Sequence, residues 1–374
     1  MAAQKINIEQ FLELAKEYPV LDVRSPGEYV HAHIPGAYSF PLFTDEERKV
    51  VGTAYKQESR EQAIKIGLDY FGVKMRKMIE EVEGIISNRQ LAIDKEEDSN
   101  NGKPLSIANC VLVHCWRGGM RSGAVSWLLD MYGFKVYTLV GGYKRFRNYV
   151  LEAFKESHNL KIVGGFTGSG KTQLLKELNQ KGETTIDLEE IAKHKGSAFG
   201  NIGMPVQPTQ EMFENLLALE LLKKSTNNNV PPSRNPIWLE DESQRIGLVN
   251  IPHELWKTMR QSPVYFLDIP FEERLGQIVL DYGNLDPEKL IAAIERISQK
   301  LGHLNAKTAI LGINEGKIDQ SFDILLRYYD KHYLKSLHNR EGINSLLHSI
   351  QCKSVTPENA DQLILQSQHL QQKH

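Results

Sequence analysis

Apolar and polar positions divide the chain into four stretches. In the first 43 residues, short apolar runs alternate with turns. Val20-Leu21-Asp22-Val23-Arg24 is a buried-strand pattern that ends in charge. Ser25-Pro26-Gly27-Glu28 follows as a turn opening a short helix, and His33-Ile34-Pro35-Gly36-Ala37 is a second turn before a short strand near Ser39-Phe40. From 44 to 104 the pattern changes. Charges are dense, and Ala63, Ile64, Gly67, Leu68, Phe71, Met75, Met78, Ile79 and Val82 recur at helical spacing, which predicts one or two amphipathic helices. The run Asp94 to Lys103 (DKEEDSNNGK) that closes it reads as a mobile surface loop.

Short strands return between 105 and 150. Val111-Leu112-Val113-His114 is apolar enough to be buried on both faces, Gly123 to Met131 has a helical pattern, and Val136 to Val140 is a further strand closed by Gly141-Gly142. A second strand–helix unit starts at Leu160, with Lys161–Gly164 as strand and Thr172–Gln180 as helix. Later strand candidates are Thr184–Ile186, Pro236–Leu239 and Val264–Leu267, with helical patterns between them. Residues 225–234 read as a loop, and 284–374 read mostly as helix. Strands alternating with helices in both halves predict two parallel sheets.

Composition narrows the function classes. The chain has 374 residues, room for two to three domains, with 41% apolar and 25% charged residues, so a disordered or collagen-like chain is excluded. Lys plus Arg is 45 and Asp plus Glu is 47, a net charge of −2, which excludes a polycation but not a local basic patch. Such a patch exists: Lys135 to Gly182 holds nine Lys/Arg against three Glu, a balance of +6. There Lys144, Arg145 and Arg147 interleave with Tyr143, Phe146 and Tyr149, a pattern that suits either RNA phosphates and bases or a solvated helix face. Cys110, Cys115 and Cys352 cannot form a disulfide framework and point to a reducing compartment. The N-terminus predicts a short amphipathic helix carrying Ile8, Phe11, Leu12 and Ala15 rather than an export signal. No apolar run reaches membrane-span length, so a cytoplasmic protein is expected.

Two constellations carry chemistry. Cys115 lies between a buried strand and a helix, and Gly118 and Gly119 let the following loop curl its amides inward. A ring of amides at a helix N-terminus stabilises an anion and lowers a thiol pKa. Arg117 and Arg121 add charge for an anionic substrate. Cys110 and Cys352 read as buried structural thiols. The second constellation is Gly165-Phe166-Thr167-Gly168-Ser169-Gly170-Lys171-Thr172, a full G-x-x-x-x-G-K-T between a strand and a helix. Its amides, with Gly165, Gly168, Ser169 and Gly170 in the loop, wrap a diphosphate, Lys171 neutralises it, and Thr172 can bind Mg2+. Asp241, in the carboxylate run Glu240-Asp241-Glu242 at a strand end, is the expected acidic partner of that metal, with Asp268 after the Val264 strand as its competitor. Tyr328-Tyr329-Asp330-Lys331-His332-Tyr333 reads as packing or a lid.

Over 1–150 the order of elements resembles the rhodanese family. The resemblance rests on Asp22-Val23-Arg24 with Glu28, His33 to Ala37, the strand into Cys115, and Val140-Gly141-Gly142. Five residues, Trp116 to Met120, separate Cys115 from Arg121. That spacing is longer than in common sulfurtransferases and also resembles cysteine phosphatases of the same fold. The 44–104 insertion is a second departure. Particular strings narrow the resemblance to tRNA 2-selenouridine synthases: Cys115 to Ser122, Gly52 to Gln57, Gly164 to Thr172, Asp187-Leu188-Glu189, His194 to Gly200, Gln207 to Gln210 with Phe213-Glu214, and Glu240 to Ser243 with Ile246-Gly247.

That resemblance implies an α/β architecture in four parts. A rhodanese-like parallel-sheet domain occupies 1–145, with its helical insertion at 44–104, and a basic linker spans 146–159. A P-loop NTPase-like α/β domain occupies 160–283, and a helical region 284–374. It also implies an enzyme that replaces the C2 sulfur of a wobble 2-thiouridine in tRNA with selenium from selenophosphate, through an S-geranyl intermediate made from geranyl diphosphate. Cys115, Arg117, Arg121 and Lys171 are then the expected catalytic residues, and Lys144, Arg145 and Arg147 the expected tRNA contacts. Thr172 and Asp241 would hold Mg2+, and selenophosphate synthetase would supply the donor. Trp238, Trp256 and the 196–213 segment are candidates for the geranyl pocket. The alternative is an ATP-dependent P-loop kinase, which the Arg274 region resembles, fused to a sulfurtransferase or phosphatase domain.

Overall fold

Val111, Leu112 and Val113 are fully buried although they point alternately to opposite faces, so their strand must be covered on both sides. A parallel sheet with helices on each face meets that demand. The computed structural model describes residues 3–97, 109–225 and 236–371. These residues form two units, Met1–Glu152 and Ala153–His374. Of the two loops expected at 94–103 and 225–234, residues 94–97 and 225 are instead the ends of helices, and the remainder lies outside the described residues.

The first unit runs β1 (Gln4–Ile6), α1 (Ile8–Leu14), β2 (Val20–Asp22), α2 (Pro26–His31), β3 (Tyr38–Ser39), α3 (Asp45–Gln57), α4 (Arg60–Gly72), α5 (Met75–Glu97), β4 (Cys110–His114), α6 (Met120–Tyr132), β5 (Lys135–Leu139) and α7 (Gly142–Ala153). Its five strands are ordered β1-β5-β4-β2-β3 and every pair is parallel. The β2–β4 register sets Asp22 beside His114, so the charged end of β2 lies at the strand end that feeds Cys115.

The insertion holds three helices where the spacing predicts one or two. Capping explains the breaks. Thr44 accepts from the Glu47 N–H while Glu47 reaches back to the Thr44 N–H, and Ser59 accepts from the Gln62 N–H. Ala63, Gly67 and Phe71 on α4 turn inward. Phe71, Met78 and Val82 join Phe40, Leu42 and Leu128 in one core, so the insertion is packed onto the sheet domain.

The second unit runs β6 (Leu160–Gly165), α8 (Lys171–Gln180), β7 (Thr184–Ile186), α9 (Leu188–Ala192), α10 (Gln210–Ser225), β8 (Ile237–Glu240), β9 (Arg245–Ile246), β10 (Val249–Asn250), α11 (His253–Arg260), β11 (Val264–Asp268), α12 (Phe271–Tyr282), α13 (Pro287–Leu301), α14 (His303–Asn314), α15 (Ile318–His338), α16 (Ile343–Leu346), β12 (Leu347–Gln351) and α17 (Asn359–Gln371). Its main sheet is ordered β12-β11-β6-β8-β7, again all parallel. Val163, Trp238, Tyr265 and Leu267 form its core with Leu174 and Leu178 of α8 and Leu363 of α17.

Two stretches differ from the sequence reading. The expected linker from 146 is instead mostly the end of α7, because Tyr143, Phe146 and Val150 recur at helical spacing and are fully buried. The expected helical C-terminal region contributes β12, which pairs with β11 from Val264–Leu347 to Asp268–Gln351. Leu347-His348-Ser349-Ile350-Gln351 has no strong strand pattern of its own, and the β11 edge supplies its hydrogen-bond partners. No described helix is long and apolar enough to cross a membrane.

Candidate functional site

β4 delivers Cys115 to the start of a tight loop, and α6 leaves that loop five residues later. Gly118 makes the loop possible. Its φ is +67°, and a Cβ there would stand 2.6 Å from the Leu139 carbonyl oxygen. The loop aims donors at the sulfur: the Gly119 N–H lies 3.3 Å from Sγ and the Ser122 hydroxyl 3.3 Å away. Burial raises the Cys115 pKa, but hydrogen bonds from Ser122, Gly119 and Arg117 outweigh it and hold the thiol below its ordinary value. Cys110 shows the contrast, since burial pushes its thiol up to about 11.

Behind the loop lies a buried ion pair. Arg24 is paired with Asp22 through contacts of 2.6–3.1 Å, donates to the Ala32 carbonyl at 2.7 Å, and lies 3.7 Å from the Tyr143 ring centre. In front lies a cavity of about 690 Å3 between the insertion and the cysteine loop. Leu42, Phe43, Phe71 and Ala63 line it, Cys115 opens into it, and Arg48, Lys49, Lys56, Arg117 and Arg121 supply positive charge, with no Asp or Glu on the lining among the described residues. Arg117 is exposed. Arg121 is engaged by Glu28, with nitrogen–oxygen distances of 2.6 and 3.4 Å. Burial raises the Glu28 pKa, but the Arg121 contact outweighs it and holds the carboxyl below its ordinary value. The cavity can therefore hold an anion near an activated thiol, with Arg117 the more available guanidinium.

The second unit presents the P-loop at the end of β6. Gly168 has φ +82°, and a Cβ there would stand 2.7 Å from the Arg274 carbonyl oxygen, so the loop can pass only as glycine. Ser169 Oγ is buried without a hydrogen-bond partner among the described residues. Lys171 Nζ donates to the Gly165 carbonyl at 2.9 Å. α8 begins at Lys171, so its free N–H groups and positive dipole end face the loop. A cradle of this geometry has the donors to take phosphate oxygens.

Beside it stand three carboxylates. Thr172 Oγ1 lies 3.1 Å from Glu189 Oε2 and 3.4 Å from Glu240 Oε2, and the Glu189 N–H donates to Glu240 at 3.0 Å. One oxygen each from Glu189, Glu240 and Glu242 fall within 4.8 Å of one another. Burial, then repulsion from Glu189 and Glu242, raises the Glu240 pKa far above the carboxylate range, and burial with Glu189 pushes Glu242 up to about 8. An all-oxygen set of this charge fits a hard divalent cation such as Mg2+, which would relieve the repulsion.

Asp241 is not in that set, a correction to the sequence reading. Its oxygens accept from Arg340 at 2.6 Å and from the Tyr333 hydroxyl at 2.7 Å. Tyr333 in turn accepts the Gly165 N–H at 3.2 Å. Consecutive side chains of an extended chain turn to opposite sides, and here Glu240 turns to Thr172 while Asp241 turns to Arg340. The competing Asp268 bonds Gln351 on β12. Tyr333 is thus packing that braces the P-loop. Arg340 escaped the sequence reading altogether, because nothing local marks it. Glu189 and Glu242 stood in recognised strings but without a role.

The remaining expectations divide. Lys144 is exposed, Arg145 lies 3.6 Å from Glu152, and Arg145 and Arg147 are half-buried. Tyr143 and Phe146 are fully buried and cannot stack on bases, which corrects the interleaved-aromatic reading. Trp238 is sealed in the core and Trp256 lies on α11, so neither borders the Cys115 cavity. Arg274 is buried, pairs with Asp330 at 2.8 Å and donates to the Thr167 carbonyl, a structural post for the P-loop.

Comparison with known proteins adds the following. A family model described as the tRNA 2-selenouridine synthase AAA domain matches residues 158–356, and a rhodanese-like domain model matches residues 7–149. A tRNA 2-selenouridine synthase of Nitrosomonas eutropha is 32% identical, over 86% of this chain and 89% of that protein. Those of Nitrosomonas europaea and Bdellovibrio bacteriovorus are 35% and 36% identical, over 82% and 75% of this chain and 73% and 69% of theirs.

Proposed function

This chain belongs to the tRNA 2-selenouridine synthase family, and on that premise we propose that it exchanges sulfur for selenium at C2 of a wobble 2-thiouridine in tRNA. The reaction has two halves. In the first, the thiouridine sulfur attacks C1 of geranyl diphosphate; the C–S bond forms as the C–O bond breaks, diphosphate leaves with the electron pair, and N3 of the base gives up its proton to solvent, to be regained when water later cleaves the Se–P bond. In the second, selenium of selenophosphate attacks C2, the C2–S bond breaks, and the geranyl thiolate departs and takes up a proton. Water then cleaves the Se–P bond, releasing phosphate and leaving the selenouridine.

The carrying observation is the pairing of two anion sites of different character on one chain. The P-loop, with Lys171 and the amides of Gly168, Ser169 and Gly170, suits a diphosphate leaving group. Lys171 and the α8 N-terminus stabilise the negative charge that develops on it. Glu189, Glu240 and Glu242 with Thr172 would hold Mg2+, which supplies further charge to a diphosphate. The Cys115 loop suits the smaller selenophosphate, bound by loop amides and Arg117, while Arg121 is set by Glu28. Lys144 and Arg145 are proposed contacts of the tRNA backbone, and selenophosphate synthetase the source of the donor.

Nucleoside mass spectrometry tests the proposal. The protein is incubated with 2-thiouridine tRNA, Mg2+, geranyl diphosphate and selenophosphate, each also omitted singly. Selenouridine in the full mixture is expected, with geranylated thiouridine accumulating when selenophosphate is absent. Lys171→Ala should abolish the geranyl half, whereas Cys115→Ser should block selenium entry. An unchanged nucleoside in every mixture would overturn the proposal.

A further inference from the structure

Several large apolar side chains that remain exposed in the first unit border one cavity. Tyr55 and Leu68 are 51% and 56% exposed, Ile64 and Met120 are 36% and 49% exposed, and all four line the space above Cys115. Tyr55 comes from α3, Ile64 and Leu68 from α4, and Met120 from the start of α6. Clustered apolar exposure of this kind marks a ligand surface. The cavity volume, about 690 Å3, is that of a pocket for a sizeable small molecule. Its two characters are segregated by chemistry. The apolar wall has no hydrogen-bonding demand, while Arg117 comes from the cysteine loop, Arg121 from the first turn of α6, where Glu28 holds it, and Lys49 and Lys56 from α3.

We propose that this cavity is the seat of the S-alkyl chain during selenium entry. Its occupant is a thiouridine carrying a branched isoprenoid of about ten carbons, the chain against α3 and α4, C2 of the base at the Cys115 loop, and the nucleotide phosphates among the basic side chains. The assignment rests on the geranyl route proposed above and adds a place for its intermediate. It also gives the insertion a job: α3 and α4 wall a hydrocarbon site over a loop that otherwise binds only a small anion. Hydrocarbon and anion must lie side by side in such a substrate, and this cavity offers an apolar wall and positive charge; among the described residues no Asp or Glu lines it, and Glu28 behind it holds Arg121 and Arg48, leaving Arg117, Lys49 and Lys56 for the phosphates. A docked protein segment would instead cover Cys115 with nothing to react.

The test uses the full-length protein, selenophosphate and an anticodon stem-loop bearing either S-geranyl- or S-methyl-2-thiouridine. The geranyl substrate should be converted with a kcat/KM at least about tenfold higher, the gain from burying roughly two methylenes. Ile64→Gln with Leu68→Gln should reduce that ratio severalfold; both sites are solvent-exposed, so the fold is expected to persist, with circular dichroism as the check. A photoreactive geranyl analogue of the nucleoside provides a second readout that needs no variant, and should label peptides from 45–72 or 115–124. A ratio near one, a ratio unchanged in the double variant, or label confined to other peptides would overturn the assignment. Failure of the geranyl route itself looks different. Selenouridine would form from unalkylated thiouridine with no geranylated species, and label on α3 and α4 would then keep the cavity as a hydrocarbon site while removing its proposed reaction.

Discussion

Asp241→Asn separates two roles for a carboxylate beside a P-loop. In the structure Asp241 neutralises Arg340, and the Arg340 and Asp241 side chains are only 1% and 9% exposed. Arg340 Nε and Nη1 have no hydrogen-bond partner among the described residues, so the Asp241 contact is the main compensation of a buried charge. Breaking such a pair from one side costs about 3–5 kcal/mol. Asparagine keeps a hydrogen-bond acceptor for either Arg340 or Tyr333 but removes the charge, so a value near the lower end, about 3 kcal/mol, is expected. At roughly 2–4 °C per kcal/mol for a unit of this size, the transition of the second unit should fall on the order of 10 °C. Differential scanning calorimetry in a chelator reads this directly. Mg2+ affinity, measured by isothermal titration calorimetry below that transition, should stay within about twofold of wild type. Glu240→Gln should do the reverse. It replaces a carboxyl that burial and the neighbouring Glu189 and Glu242 already favour in its neutral form, so the metal-free protein should be no less stable, while Mg2+ affinity drops at least about tenfold. Unchanged stability in Asp241→Asn together with lost Mg2+ affinity would refute this reasoning and restore Asp241 as a metal ligand.

Other outcomes follow from the first unit and the P-loop brace. Iodoacetamide should alkylate Cys115 with a pH midpoint below that of an ordinary thiol, whereas burial pushes the Cys110 thiol up to about 11, so Cys110 should stay largely unmodified through pH 10; peptide mass spectrometry across pH 6–10 (about one point per half unit) reads that contrast, and equal alkylation of the two would contradict the loop's role. Gly118→Ala should distort the cysteine loop, since its Cβ would meet the Leu139 carbonyl at 2.6 Å, and should raise the Cys115 midpoint while lowering the melting temperature. Tyr333→Phe loses its bonds to Asp241 and Gly165, about 1–3 kcal/mol together, and should weaken diphosphate binding without changing the Mg2+ donor set; unaltered melting would show that the brace is idle.

What could be read along the chain was contiguous chemistry. Gly165 to Thr172 is a phosphate-cradle pattern carried by the backbone of one short segment, and the Cys115 loop draws its donors from Arg117, Gly119 and Ser122. Both are local, so spacing alone reveals them, as does the buried character of β4, β6, β8 and β11. The resemblance carried the family. The structure settled matters that depend on which distant segments meet. Glu189 follows β7 and Glu240 ends β8, and the pairing of those strands brings both to Thr172. Asp241 is one residue from Glu240, yet it faces Arg340, ninety-nine positions later, because adjacent side chains leave the strand on opposite sides. Tyr143 and Phe146 look like a nucleic-acid surface until α7 packs and buries them. The edge strand Leu347–Gln351 exists only because β11 offers unpaired backbone groups. Local pattern determines what each segment can do, but only packing determines which face is turned toward water and which toward a partner.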